Sequence, residues 1–352
     1  MKVYDTIIIG GGQAGLSVAY FLRRHKVDFL ILDNQKSSGG SWLHTWDSLR
    51  LFSPVQYSSL SGWPMPQSED EYPLKDELIQ YLEAYEKRYD FPIHRPVTVK
   101  SVIKEGDLFK IETENTIYHS KTVVSATGTH GNPYVPVYPG QDLFKGQQLH
   151  SSQYVNPDEF SGKKVLVVGG GNSGAQILAE VSKVAETVWV TLETPYFLPE
   201  EIDGRYLFVE ATNKFLGKKS TATPKKENGK ISLSNIVQVA SVKEALQRDV
   251  YQSKKPFSSF YEHGVTWPDG SKEEFDAVIW CTGFKANLKH LDPLQLPQNG
   301  RIAAKNTRSV QEPNLWLVGY GSWTGYASAT IYGVGKTARQ TGLEIAQTLQ
   351  IV

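Results

Sequence analysis

Two glycine-rich segments of the same type occur in this chain, and their glycine spacing is typical of segments that bind nucleotide phosphates. Each is a β-branched run followed by G-x-G-x-x-G and then a helical pattern. In such a unit the first glycine makes a tight turn, the second lets backbone approach a pyrophosphate, and the third allows a helix to pack closely on a strand. The helix N-terminus adds N–H donors and a positive dipole. The sequence therefore predicts cofactor contacts at Gly10, Gly12, Gln13, Ala14 and Gly15 in the first unit, and at Gly169, Gly171, Asn172, Ser173 and Gly174 in the second.

An acidic residue follows the second strand of each unit at nearly the same distance from its first glycine. Asp33 follows the run Phe29-Leu30-Ile31-Leu32, and Glu193 follows the run Val188-Trp189-Val190-Thr191. This spacing suits a carboxylate that binds the adenosine ribose hydroxyls, so we expect Asp33 at the first site and Glu193 with Thr194 at the second. When one dinucleotide is a flavin and the other a nicotinamide, the reaction between them is hydride transfer.

The elements around these motifs indicate an α/β protein with two Rossmann-like dinucleotide-binding domains. A helix is predicted over residues 75–89, a β-meander over 97–124 and a proline-rich linker over 131–162. Strand and Thr-Gly exits recur at Thr127-Gly128 and Thr282-Gly283, and a final helix is predicted over about 328–349. We expect residues 1–150 and 290–352 to form an FAD domain into which a nicotinamide domain, residues 151–289, is inserted.

Composition limits the function classes. Lys plus Arg and Asp plus Glu are both 37 of 352 residues, so no basic field for nucleic acid is expected. The single cysteine, Cys281, excludes a dithiol pair and a cysteine-based metal cluster, and no metal site is predicted. The first strand begins almost at the N-terminus and no apolar run reaches the ~18 residues of a membrane span. We expect a cytoplasmic protein without a membrane partner, and a homodimer is the default oligomer.

Residues 144–154 match the pattern F-x-G-x-x-x-H-x-x-x-Y at Phe144, Gly146, His150 and Tyr154. The pattern lies between the two glycine motifs and resembles the fingerprint of class B flavin-dependent monooxygenases. Val155 follows where the related Baeyer–Villiger motif ends in Trp-Pro, so the chain is more similar to the flavin-containing branch, and to its short bacterial members that accept either NADH or NADPH. The resemblance implies an enzyme that uses FAD, a nicotinamide cofactor and dioxygen. Such an enzyme forms a flavin C4a-peroxide and oxygenates a small substrate at sulfur, nitrogen or a ketone.

The resemblance also implies site residues. Gly39-Gly40-Ser41-Trp42 looks like the family's G-G-x-W flavin contact, and further flavin contacts are expected at Val99, Thr127, Gly128 and Gly319. His150 is a candidate acid–base residue, with a hydrogen-bonded hinge as the alternative. Phe52 stands where many relatives carry an asparagine close to the flavin. It is either a wall of the reaction site that cannot donate a hydrogen bond or a packing residue outside that site.

The sequence is also compatible with other functions. A disulfide reductase of the thioredoxin reductase type needs a C-x-x-C pair that is missing, whereas an NAD(P)H oxidase, a ferredoxin–nicotinamide reductase or a flavin-bound sensor does not. Glu193 predicts that NADH is used at least as well as NADPH, because a carboxylate repels a 2′-phosphate; the alternative is that Glu193 turns into solvent. The lysine-rich segment 214–230 is predicted to be a mobile loop that flavin reduction does not require.

Overall fold

The chain forms two units, and each contains a strand, a helix and a second strand around one of the glycine motifs. The structure, a computed structural model, describes residues 2–70, 72–200, 202, 235–297, 299–325 and 327–352. Its helices are α1 (Gln13–Arg24), α2 (Lys75–Tyr89), α3 (Asn172–Val181), α4 (Ala240–Gln247) and α5 (Ile331–Thr348). Its strands are β1 (Val3–Ile9), β2 (Phe29–Leu32), β3 (Ile93–His94), β4 (Val99–Glu105), β5 (Leu108–Thr113), β6 (Ile117–Ser125), β7 (Gln147–His150), β8 (Lys164–Val168), β9 (Glu186–Val190), β10 (Ser253–Lys254), β11 (Ser259–Tyr261), β12 (Gly264–Thr266), β13 (Lys272–Glu274), β14 (Ala277–Trp280), β15 (Ala304–Lys305), β16 (Arg308–Ser309) and β17 (Leu315–Leu317).

The first sheet has a parallel centre in the order β17-β6-β1-β2-β3. Ile8 in β1 pairs with Ile31 in β2 and Val124 in β6, and all three are buried. Such strands are apolar on both faces because both faces are covered, on one side by α1 packed against α5. Strands β4 and β5 extend β6 as an antiparallel meander, as the sequence predicts.

The second sheet is parallel in the order β10-β9-β8-β14-β7, with α3 packed on α4 beside it. A separate antiparallel sheet of β11, β12 and β13 lies between β10 and β14 in the chain. After the second sheet the chain returns to the first, because β17 pairs with β6. The predicted α/β fold with one nucleotide-binding unit inserted into the other is therefore confirmed.

The predicted linker over 131–162 is wrong for Gln147–His150, which form β7 and pair in register with β14. The predicted domain boundary after residue 150 places β7 in the first domain. The hydrogen bonds of β7, however, join it to the second sheet. The lysine-rich segment 214–230 lies outside the described residues. Within the described part of the chain, no helix is long and apolar enough to cross a membrane.

Candidate functional site

The first glycine motif forms the turn between β1 and α1, and its three glycines have different surroundings. Gly10 has a φ of +105°, and a Cβ there would lie 2.6 Å from the Ala126 carbonyl oxygen. A Cβ on Gly15 would lie 2.0 Å from the Gly10 carbonyl oxygen, so only glycine lets the helix approach the strand. At Gly12 the nearest protein atom is 3.8 Å away. The fold therefore leaves the space at Gly12 open to a ligand.

A long cavity of about 910 Å³ opens over this turn. We call it the first cavity. Most residues predicted for the flavin site line it: Gly10, Gly12, Gln13, Ala14, Asp33, Ser41, Val99, Thr127, Gly128 and Gly319. Gly15 is buried under the turn, and Trp42 lies beside the cavity rather than in its lining. The lining also includes Asn287, Lys289 and His290, which sequence reasoning missed because they come from the returning segment and belong to no motif.

Asp33 lines the first cavity but is already bonded within the protein. Its Oδ2 accepts a hydrogen bond of 2.6 Å from Nε of Arg95, whose two terminal nitrogens each lie 2.7 Å from a carboxylate oxygen of Glu86. The side chains of Asp33, Glu86 and Arg95 are 3%, 11% and 14% exposed. The predicted ribose carboxylate is therefore part of a buried ion cluster. Sequence reasoning missed Arg95, because the cation lies far from Asp33 along the chain.

Gln13 joins the first motif to two other segments at the mouth of the cavity. Its Oε1 accepts from Nε1 of Trp42 at 3.0 Å, and its Nε2 donates to the Ala329 carbonyl at 3.1 Å. Ala329 precedes α5, whose N-cap Thr330 accepts a hydrogen bond from the Gly333 N–H. The N-terminus of the last helix is thus held at the cavity, where its dipole favours negative charge.

The second glycine motif repeats this geometry between β8 and α3. Gly169 has a φ of +129°, a Cβ on Gly174 would lie 2.2 Å from the Gly169 carbonyl oxygen, and nothing lies within 4 Å of a Cβ on Gly171. The Asn172 side chain donates to the Asn235 carbonyl and accepts from the Val237 N–H, both at 2.9 Å. These two bonds fix the orientation of the Asn172 side chain beside the predicted cofactor site.

A second cavity, of about 260 Å³, lies between the two motifs. Its walls come from both units: Trp42 and Phe52 from the first, and Asn172, Ser173 and Gln176 at the start of α3 from the second. Phe52 therefore lies in a cavity wall, and it also packs against the core of the second unit. Both interpretations of Phe52 from the sequence describe part of its environment.

The two cavities share four lining residues, His44, His130, Phe284 and Ala329. The rings of His44 and His130 stack with centroids 5.6 Å apart, and His130 stacks on Phe284 at 5.2 Å. Burial, with smaller contributions from His44 and His150, lowers the pKa of His130 to about 4. A stack of three rings, in which His130 is held neutral, therefore forms the boundary between the cavities.

His150 lies at the end of β7, and both of its ring nitrogens are hydrogen-bonded. Nδ1 accepts from the Ser152 N–H at 3.1 Å, so Nε2 carries the proton and donates to the Gly283 carbonyl at 3.0 Å. Burial lowers its pKa, although the bond to Gly283 opposes this. The contacts favour the hinge interpretation over acid–base chemistry, because neither nitrogen is available to a ligand.

Glu193 and Thr194 are exposed after β9 and line neither cavity. Within the described residues the Glu193 carboxylate makes no ion pair. Nζ of Lys255 donates to the carbonyl of the adjacent Leu192 at 3.2 Å. Lys255 follows β10, the strand beside β9, so only the sheet order brings this cation to the predicted ribose site.

The residues present fit two dinucleotides. Each motif has a glycine, directly before a helix N-terminus, at which a Cβ would meet no protein atom closer than 3.8 Å, as a pyrophosphate requires. FAD fits the first cavity, which runs from Val99 past the first motif to Ala329. A nicotinamide dinucleotide fits the second motif, since α3 begins at the second cavity.

Comparison with known proteins agrees with this geometry. The profile of the pyridine nucleotide-disulphide oxidoreductase family matches residues 7–319. A flavin-containing monooxygenase from Stenotrophomonas maltophilia is 42% identical with a TM-score of 0.90, over 99% of this chain and all of that one. Over 96% of this chain and 97% of its own length, CzcO of Bacillus subtilis, named as an uncharacterized oxidoreductase, is 34% identical. Indole-3-pyruvate monooxygenase YUCCA4 of Oryza sativa subsp. japonica is 30% identical over 99% of this chain and 89% of its own.

The chain belongs to the pyridine nucleotide-disulphide oxidoreductase family and, within it, to the flavin-containing monooxygenases. It is an oxidoreductase whose cofactors are FAD and a nicotinamide dinucleotide. The resemblance drawn from the linker fingerprint is confirmed.

Proposed function

We propose that the protein is a FAD- and NAD(P)H-dependent monooxygenase that oxygenates small soft nucleophiles, such as thioethers and amines, or ketones. The observation that carries this proposal is the boundary at His44, His130, Phe284 and Ala329. There a cavity over the first motif adjoins a cavity that reaches the second motif. The first cavity would hold FAD, which would supply the capacity to accept a hydride and to react with dioxygen.

The residues of the chain have distinct proposed roles in this arrangement. The first motif and the contacts at Ser41, Trp42 and Val99 hold FAD, and the second motif holds the nicotinamide dinucleotide. The α3 N-terminus, which lies at the second cavity, would bind the pyrophosphate of that dinucleotide. The capped N-terminus of α5 provides N–H donors where reduction develops negative charge. The apolar walls of the second cavity exclude water from the reaction.

Phe52 supports a second candidate function, an NAD(P)H oxidase. The ring lines the second cavity and cannot donate a hydrogen bond to an oxygen species. Weak retention of such a species would release hydrogen peroxide rather than oxygenate a substrate.

The two candidates differ in where the oxygen goes. Purified protein is incubated with NADH, ¹⁸O₂ and either a thioether or a cyclic ketone, and labelled product and hydrogen peroxide are measured per NADH oxidised. A monooxygenase places one ¹⁸O atom in the product. An oxidase yields peroxide alone and overturns the proposal. Phe52→Asn restores a donor and should raise the ratio of product to peroxide, whereas Phe52→Leu should not.

A further inference from the structure

Three buried side chains and the half-buried Thr127 form a hydrogen-bonded chain beside the first cavity, where three segments meet. Ser125 and Thr127 lie at the end of β6, Tyr320 follows β17, and His290 belongs to the 3-10 helix Lys289–Leu294. We call this set the hydroxyl relay. Nε2 of His290 lies 3.0 Å from the Ser125 hydroxyl, which in turn contacts the Tyr320 hydroxyl. The Tyr320 hydroxyl lies 2.7 Å from the Thr127 hydroxyl. Ser125, Tyr320 and His290 are at most 6% exposed, so these groups must satisfy one another.

The direction of every hydrogen bond in the relay follows from one fixed end. The Thr127 hydroxyl donates its single proton to the Asn287 carbonyl at 2.6 Å, because a carbonyl only accepts. Tyr320 must then donate to Thr127, and Ser125 must donate to Tyr320. The Ser125 oxygen is left as the acceptor for His290, so Nε2 of His290 carries a proton.

The other ring nitrogen of His290 is therefore a hydrogen-bond acceptor. Burial lowers the pKa of His290 to about 4, so the imidazole is neutral and its Nδ1 holds a lone pair. No hydrogen bond to Nδ1 is formed within the described part of the chain. Nδ1 is also accessible. In the described part of the chain, the fully buried side-chain nitrogen and oxygen atoms without a hydrogen-bond partner are His119 Nδ1 and Ser120 Oγ, and His290 Nδ1 is not among them. His290 lines the first cavity, so its lone pair is open to a ligand in that cavity.

We propose that His290 binds FAD by accepting a hydrogen bond at Nδ1 from a hydroxyl of the dinucleotide, and that the hydroxyl relay holds the imidazole in the required tautomer. This inference rests on the assignment of FAD to the first cavity. It makes His290 a cofactor-binding residue and Tyr320, which does not line the cavity, a positioning residue that acts through Ser125. Without the Tyr320 hydroxyl, Ser125 could donate its proton to Nε2 instead. The imidazole would then adopt the tautomer with its proton on Nδ1. The lone pair would then be lost from the cavity.

Substitutions can separate the acceptor from the relay. His290→Gln places its amide where Nε2 lies and keeps a donor for Ser125, but it has no acceptor at the Nδ1 position. His290→Asn places an acceptor oxygen near Nδ1 and cannot reach Ser125. Tyr320→Phe removes one hydroxyl outside the cavity. Tyr118→Phe is the matched control, because the Tyr118 hydroxyl also contacts a histidine, His94, at 3.1 Å but does not line the cavity.

The readout is the dissociation constant of FAD from the deflavinated protein, measured by flavin fluorescence. We expect about a tenfold increase for His290→Gln and for Tyr320→Phe, a smaller one for His290→Asn, and none for Tyr118→Phe. The double variant His290→Gln/Tyr320→Phe should match His290→Gln alone, since both changes remove the same bond. Wild-type affinity in His290→Gln, or a fully additive double variant, overturns the proposal.

Two further measurements keep the test independent of activity and of variant folding. In ¹⁵N-histidine-labelled deflavinated wild type, the His290 signals should show a protonated Nε2 and a free Nδ1 that shifts when FAD is added. A protonated Nδ1, or no shift, overturns the proposal.

Titration with ADP and with riboflavin identifies the hydroxyl that His290 binds. Weakened ADP binding in His290→Gln assigns it to the adenosine ribose, and weakened riboflavin binding assigns it to the ribityl chain. The wild type could bind FAD with the expected dependence on His290 and yet not be reduced by NADH. That result would contradict the proposed reaction and leave the binding role of His290 intact.

Discussion

The two nucleotide-binding units of this protein have the same backbone turn but different acidic residues. The glycines agree almost point for point: Gly10 and Gly169 have positive φ, and Gly15 and Gly174 allow no Cβ. The acids do not agree. Asp33 is buried and bonded to Arg95, whereas Glu193 is exposed and makes no ion pair within the described residues.

This difference shows that spacing along the chain determines where an acid lies but not what it contacts. Asp33 follows β2, which is flanked by β3, and Arg95 follows β3 directly. Glu193 follows β9, which is flanked by β10, and there the neighbouring cation is the exposed Lys255. One carboxylate therefore stabilises the fold, while the other remains available to a ligand.

The most complete loss of function is expected from filling the open glycine of each motif. Gly12→Val should yield folded but colourless protein, because the side chain occupies the pyrophosphate space. Gly171→Val should remain yellow and lose reduction by NADH by about 100-fold, equivalent to about 2.7 kcal/mol. Flavin content by absorbance and the rate of reduction in stopped flow measure the two effects. If Gly12→Val keeps a full complement of FAD, the first motif does not bind the pyrophosphate.

Removal of Arg95 tests the buried acid. Arg95→Met leaves the Asp33 and Glu86 carboxylates without their cation, and we expect a loss of about 3–5 kcal/mol in the free energy of unfolding. Glu193→Gln, the corresponding change at the second site, should alter it by less than about 0.5 kcal/mol. Urea unfolding of the deflavinated proteins measures both. Equal effects would mean that the two acids do not differ as the structure indicates.

Acidification should destabilise the first unit through His290. Its folded-state pKa of about 4 lies below the ordinary value of 6.5, so between these values the unfolded chain binds the extra proton. Stability is therefore complete above pH 6.5 and falls as the pH drops towards 4, by about 2–3 kcal/mol. Unfolding at a series of pH values should show a flatter slope for His290→Gln, and the wild-type slope for the exposed His263→Gln. An unchanged slope in His290→Gln would contradict the buried, neutral state.

The smallest expected effect concerns the choice of nicotinamide. We expect NADH to be used at least as well as NADPH, because Glu193 repels a 2′-phosphate by about 1–2 kcal/mol after screening. Glu193→Arg should shift the ratio of kcat/KM for the two cofactors towards NADPH by about tenfold. Glu200→Arg changes the same charge further along the loop and should leave the ratio unchanged. A strong native preference for NADPH, or no shift in Glu193→Arg, rules out this role of Glu193.

Local features of the sequence were sufficient to predict the main elements of the fold and their order. The two glycine motifs, their flanking apolar strands and the helix over 75–89 are each determined by residues close together in the chain, where turn geometry and side-chain periodicity apply. The insertion of one unit into the other followed from the order of these elements. β7 was missed because its four residues lie in a proline-rich stretch and form a strand only beside β14.

The contacts that make the candidate site were decided by tertiary structure. Arg95 meets Asp33, Lys255 approaches Glu193, and His290 meets Ser125 only because sheet order and the returning chain bring distant segments together. These contacts carry no periodicity or spacing signal, since their partners are far apart in the chain. The sequence by itself determined two dinucleotide sites. Folding decided which carboxylate is bound internally, which histidine keeps a free nitrogen and where the two cavities meet.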